Sequence, residues 1–178
     1  MVAANPTRAV NWPKLLCALV AGLYFLWCAW DVKRWHLIDG ANLIIHEAGH
    51  LIFSPLGEFL MIAGGSLMQV IMPAAFVFYF YRNDKAYSAA LVCLWVGESL
   101  LNVSVYAGDS IARQLPLLGG QDTIHDWNYL LTRMGMLSAT PKIAALIRLA
   151  GTLVILAGIF WAIRESLRAG RLQEDYSC

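Results

Sequence analysis

His46 and His50 stand four residues apart with Glu47 between them, in the run HEAGH. On a helix this spacing puts both imidazoles on one face about one turn apart, the separation at which two ring nitrogens can share one tetrahedral zinc. Glu47 then lies beside the ion without ligating it. From there its carboxylate can take a proton from a metal-acidified water and hand it to a leaving amine, so one short segment supplies Lewis acid, nucleophile and base together. The chain holds only 4 histidines in 178 residues, which makes a chance HExxH rare. The alternative is a pair of interior histidines bonded to carbonyls or to each other. It has to account for three ionisable residues within five positions of an apolar stretch, where such groups are costly and by default functional. Gly49 fits the metal site too: a mid-helix glycine is about 1 kcal/mol worse than alanine and is kept where another backbone or a ligand must come close.

The elements that carry these residues are apolar. Leu43, Ile44 and Ile45 precede the motif and Leu51, Ile52 and Phe53 follow it, so its helix is hydrophobic all round and belongs in a bilayer or among packed membrane helices. Over the whole chain 59% of residues are hydrophobic and 14% charged, against about half and about a quarter in soluble globular proteins. The apolar residues fall in long blocks: Leu15 to Trp30, Ala41 to Phe53, Ser66 to Tyr81, Ala86 to Ala107 and Ile143 to Ile163. A span needs about 20 such residues. The third to fifth blocks reach that length or nearly so, and the first does with Trp12 and Trp30 as interfacial anchors. The first block, preceded by Arg8 and Lys14, reads as a retained span; its end at Trp27 to Asp31 lacks a small-x-small cleavage pattern.

These patterns predict an all-α, integral, multi-pass membrane protein: one domain over 1–178, a bundle of four or five transmembrane helices and a short HExxH helix. A net charge of +1 gives no reason to expect a nucleic-acid partner. Cys17, Cys28, Cys93 and Cys178 show no paired spacing and read as packing residues. Pro55 ends the motif helix after about 15 residues, or about 22 Å, too short to cross comfortably. Either this helix dips in and Leu56 to Gly65 returns the chain to the same side, which we prefer, or it crosses fully and the later polar segments start on the opposite side. The long polar segment from Gly108 to Lys142 exceeds a structureless connection and should carry structure or function.

A catalytic zinc needs three protein ligands and one open position. With its HEAGH segment and apolar flanks the sequence resembles the site-two protease family of intramembrane zinc metalloproteases, over roughly Asn42 to Trp127. In that family the third ligand is an aspartate a few residues after an asparagine, in a pattern like N-x-x-P-x-x-P-L-D-G. Here Asn102 to Asp109 keeps the asparagine and the aspartate, lacks both prolines, is one residue shorter and has Ser110 in place of the glycine. The resemblance therefore makes Asp109 the expected third ligand. The rivals are His125 and Asp126, in a run from Gly119 to Trp127 that also holds Asp122; either could ligate or orient a ligating imidazole. Thr123 and Asp126 also have capping-box spacing, for a helix running through Leu137. In the family a glycine-containing segment before the next span serves as an edge strand for an extended substrate, which would fall at Leu60 to Gly65; a simple turn is the other reading.

Gln69, Glu98 and Asn102 are the remaining polar residues inside apolar blocks. Glu98 and Asn102 share a helix face, and the three read either as substrate or water contacts or as interhelical hydrogen bonds. Arg148 reads as a snorkelling side chain. The expected function is zinc-assisted hydrolysis of peptide bonds in or near the membrane, acting on a membrane-protein or peptide substrate, with Glu47 as general base. The alternative is an inactive membrane scaffold, or a metal- or ion-handling protein using the same polar residues.

Overall fold

Helix α1 spans Trp12–Trp30 and opens where the Asn11 side chain accepts the Lys14 N–H, with Pro13 in the first turn. The computed structural model describes residues 10–118, 120 and 123–175, so Asp122 and Cys178 lie outside the described residues. Next come α2 (Leu37–Phe53), α3 (Glu58–Arg82), α4 (Ala86–Gly108), α5 (Asp126–Arg133) and α6 (Thr140–Asp175), with single 3-10 turns at Ser54–Leu56 and Leu137–Ala139. No strand occurs among the described residues. The fold is all-α, as expected. Four stretches are long and apolar enough to cross a membrane: Trp12–Trp30, Glu58–Arg82, Ala86–Gly108 and Leu137–Arg168.

The motif helix begins before its apolar block because Asp39 caps it: its Oδ2 accepts the His36 N–H at 2.6 Å. Pro55 ends it in a 3-10 turn, and Gly57 at φ 95° reverses the chain directly into α3. Leu60 to Gly65 is thus neither an edge strand nor a turn but the first part of α3. The glycines there serve packing: a Cβ on Gly64 would lie 2.8 Å from the Gly49 carbonyl oxygen, so α2 and α3 approach backbone to backbone.

Contacts between helix ends fix the topology. The Asn11 N–H donates to Ser166 O, and Tyr87 Oη donates to Lys14 O, so the starts of α1 and α4 and the far part of α6 share one end of the bundle. At the other end the Ser110 and Thr140 hydroxyls meet at 2.8 Å. There Val32 to Trp35, after α1, and Leu115 to Leu118, after α4, line one cavity. With α3 and α4 antiparallel, α2 must begin and end at that same end. This is the dipping arrangement.

The framework is the α4 and α6 pair. A Cβ on Gly151 would sit 2.6 Å from Gly97 O, and Leu94, Leu101 and Ile155 pack beside this contact fully buried. Apolar side chains that face outward, such as Leu16, Val20 and Leu23 of α1 and Leu146, Leu153 and Phe160 of α6, are exposed, as suits a lipid-facing surface. Trp12 and Trp30 are exposed at the two ends of α1. Arg148 is exposed on α6, and Cys17, Cys28 and Cys93 are unpaired.

Helix α5 stops at Arg133, short of Leu137, because Gly135 at φ 66° takes the left-handed conformation that closes a helix. Its N-cap is His125, whose Nδ1 accepts the Asn128 N–H at 3.3 Å; Thr123 instead donates to Leu118 O. The expected Thr123 capping box is therefore not formed.

Candidate metal centre

The four-residue spacing on α2 brings the His46 and His50 rings to a centroid separation of 4.9 Å. Each ring is held through Nδ1. His50 Nδ1 lies 2.9 Å from Met61 O, and His46 Nδ1 lies 3.2 Å from Gln69 Oε1, both partners being on α3. The Nε2 atoms converge on one carboxylate oxygen: Asp126 Oδ2 is 3.0 Å from His46 Nε2 and 3.3 Å from His50 Nε2. A zinc ion with bonds of about 2.0 to 2.2 Å in tetrahedral geometry separates its ligand atoms by about 3.3 Å. The donor set and its spacing fit zinc, and the imidazoles have the outer partners that ligating histidines need. His46, His50 and Asp126 form a group that could hold a metal ion.

Gly65 makes the space. A Cβ there would lie 2.5 Å from His46 Nε2 and 2.7 Å from His50 Nε2, inside the room the ligand atoms occupy. Sequence reading noticed this glycine only as part of a segment between helices.

Asp109, the expected third ligand, is not the residue brought to the imidazoles. At the C-cap of α4 its carboxylate accepts the Gln114 and Leu115 N–H groups, at 2.9 and 3.0 Å, and faces His125 Nε2 at 3.3 Å. It thus fastens the start of the connecting segment to His125, and His125 caps the helix whose first residue is Asp126. The His125 ring is committed at both nitrogens to Asp109 and to the cap and does not join the cluster. Helix α5 is seated by Trp127 Nε1 donating to Ser66 Oγ at 3.0 Å and Asn128 Nδ2 donating to Ser110 O at 2.8 Å. Tyr106 Oη accepts the Asp126 N–H at 3.1 Å, and its ring packs on His46 and His125. Neither docking contact has a local signature in the sequence.

The three clustered residues line a cavity of about 570 Å³ together with Glu47, which is exposed into it, and with Leu43, Met61, Val105 and Tyr106. Burial alone pushes the Asp126 carboxyl up, but hydrogen bonds and charge from His46 and His50 outweigh it and hold the group below its ordinary value. The same hydrogen bond with Asp126 raises His50 to about 9.

Gln69 and Asn102 also line this cavity, but their amides are engaged with each other, Gln69 Nε2 donating to Asn102 Oδ1 at 2.7 Å. Glu98 takes the interhelical role: buried, it accepts from Asn42 Nδ2 at 2.6 Å, while Trp95 Nε1 and Ser99 Oγ donate to Asn42 Oδ1. No protein-family model, curated protein or solved structure matches the chain.

Proposed function

We propose that this chain is a membrane-embedded zinc metallopeptidase that hydrolyses peptide bonds in or near the membrane. One observation carries the reading: His46 Nε2, His50 Nε2 and Asp126 Oδ2 meet beside a cavity that Glu47 also lines. Zinc, when bound, supplies a Lewis acid that polarises the scissile carbonyl and acidifies water. His46 and His50 would hold it through Nε2, and Asp126 would contribute one carboxylate oxygen. Glu47 has no side-chain bond within the protein among the described residues and faces the cavity, so it is free to take the proton from water and deliver it to the departing amine. Leu43, Met61 and Val105 give the cavity an apolar wall suited to a hydrophobic peptide segment. The reading draws on the HEAGH helix for its likeness to site-two proteases, and on α5 instead of Asp109 for the third ligand.

The test uses the purified full chain in detergent, assayed for zinc content and for cleavage of a hydrophobic peptide. Glu47→Gln should keep stoichiometric zinc and lose hydrolysis by about 10²- to 10⁴-fold, whereas His46→Ala and His50→Ala should lose zinc. Full zinc occupancy in both histidine variants would sink the ligand assignment. Hydrolysis undiminished in Glu47→Gln would sink the mechanism.

A further inference from the structure

The two imidazoles differ in what holds their Nδ1 atoms. His50 faces a main-chain carbonyl, which can only accept, so its Nδ1 must carry a proton and its Nε2 is the atom left for a metal. His46 faces the side-chain amide of Gln69, and an amide can present either its oxygen or its NH2 group. Asp126 Oδ2 faces the other nitrogen, Nε2, at 3.0 Å, so when Nε2 is a ligand the proton is held on Nδ1 only if Gln69 presents its oxygen. The choice is made further along a buried chain. Asn102 Nδ2 lies 2.8 Å from Asp39 Oδ1, and Asp39 Oδ2 accepts the His36 N–H. Asp39 sits in the first turn of α2, where a carboxylate is favoured by the helix dipole. A carboxylate only accepts, so Asn102 must turn its NH2 to Asp39 and its oxygen to Gln69. Gln69 must then turn its NH2 to Asn102, which leaves its oxygen for His46. Reversing either amide would set acceptor against acceptor. Asp39 and Gln69 are 5% and 2% exposed, so an unmet polar group at either is disfavoured.

We propose that Asp39 is a positioning residue of the metal centre: acting through Asn102 and Gln69, it fixes the proton of His46 on Nδ1 and so keeps Nε2 available as a ligand. This rests on the metal-binding part of the proposed function and is independent of whether the site hydrolyses peptides.

The readout is zinc affinity, by chelator competition on the purified full chain in detergent, with thermal unfolding followed in parallel. Asp39→Asn leaves the side-chain shape, but with its oxygen held by the His36 N–H it turns its NH2 toward Asn102 and reverses the chain, and should weaken zinc binding by about 10- to 100-fold, the usual effect of losing an outer partner of a ligating histidine. Adding Asn102→Asp moves the carboxylate one link closer to His46. Asp at 102 would accept from Gln69 and from the amide at 39, so direction returns and affinity should recover to near that of the parent chain. If Asp39→Asn does not fold, Asn102→Leu severs the same chain and should show the same loss. Parent-like affinity in Asp39→Asn, or a double variant that folds and binds no better than Asp39→Asn, would overturn the inference. Absence of zinc from the parent chain would overturn the metal reading and this inference together.

Discussion

Asp126 and Asp109 sit 17 positions apart in sequence and do different work. Asp126 is the carboxylate between the two imidazoles, and Asp109 ties down the segment that delivers it. Asp126→Asn should therefore cost most of the zinc affinity with little change in unfolding temperature. Asp109→Asn keeps Asp126 in the chain and should retain measurable zinc while loosening 111–118, seen as faster proteolysis there. Zinc analysis of the two proteins side by side checks this, and the reverse ranking would restore Asp109 as ligand. Gly65→Ala is expected to lose zinc outright, because its Cβ would crowd both Nε2 atoms. At this scale the sequence exposed the half of the centre that lies on one helix turn, His46, Glu47 and His50. It offered Asp126 only as a rival to Asp109, because that residue arrives through tertiary docking and its neighbours His125 and Asp109 offered equally good ligand chemistry.

Helix α5 reaches the centre through three side-chain bonds, made by Trp127, Asn128 and Tyr106, so its docking should be separable from the stability of the bundle. Trp127→Phe removes the bond to Ser66 and keeps the ring. A bond of this kind contributes about 1 kcal/mol net, so zinc affinity should fall by roughly five-fold while the main unfolding transition stays put. Gly151→Leu should do the opposite. It forces a side chain against the Gly97 carbonyl and should destabilise the bundle by about 1 to 3 kcal/mol or more, measured by denaturation in detergent, with zinc per folded molecule unchanged. The long helices were legible in sequence because apolar length alone sets a span. The start of α2 and the end of α5 were not, since one depends on a side-chain cap at Asp39 and the other on a left-handed glycine at 135. Leu60 to Gly65 misled because paired glycines serve strands, turns and close helix contacts alike, and only the partner helix decides among them.

Across the whole molecule, the proposed reading has the four long apolar helices cross a membrane, and with α2 entering and leaving at one end the start of α1 and the far part of α6 then lie on the same side. Single cysteines at Arg34, Gly57 and Leu118, in a chain otherwise free of cysteine, should then be labelled by an impermeant reagent from one face of a sealed vesicle, and one at Asn83 from the other. A cysteine at position 57 that reacts with the Asn83 set would mean that α2 crosses.

The hydrogen-bonded chain through Gln69 and Asn102 leaves α2 at His46, visits α3 and α4 once each, and returns to α2 at Asp39. It is a closed circuit through three helices, so it cannot exist until all three are seated. During synthesis the two histidines emerge early, yet the circuit waits for α4 and the carboxylate for α5. On the proposed reading metal acquisition is consequently a late event in biogenesis. A nascent chain truncated after α3 should hold zinc far more weakly than the finished one, so no hydrolytic centre would be complete before the bundle is.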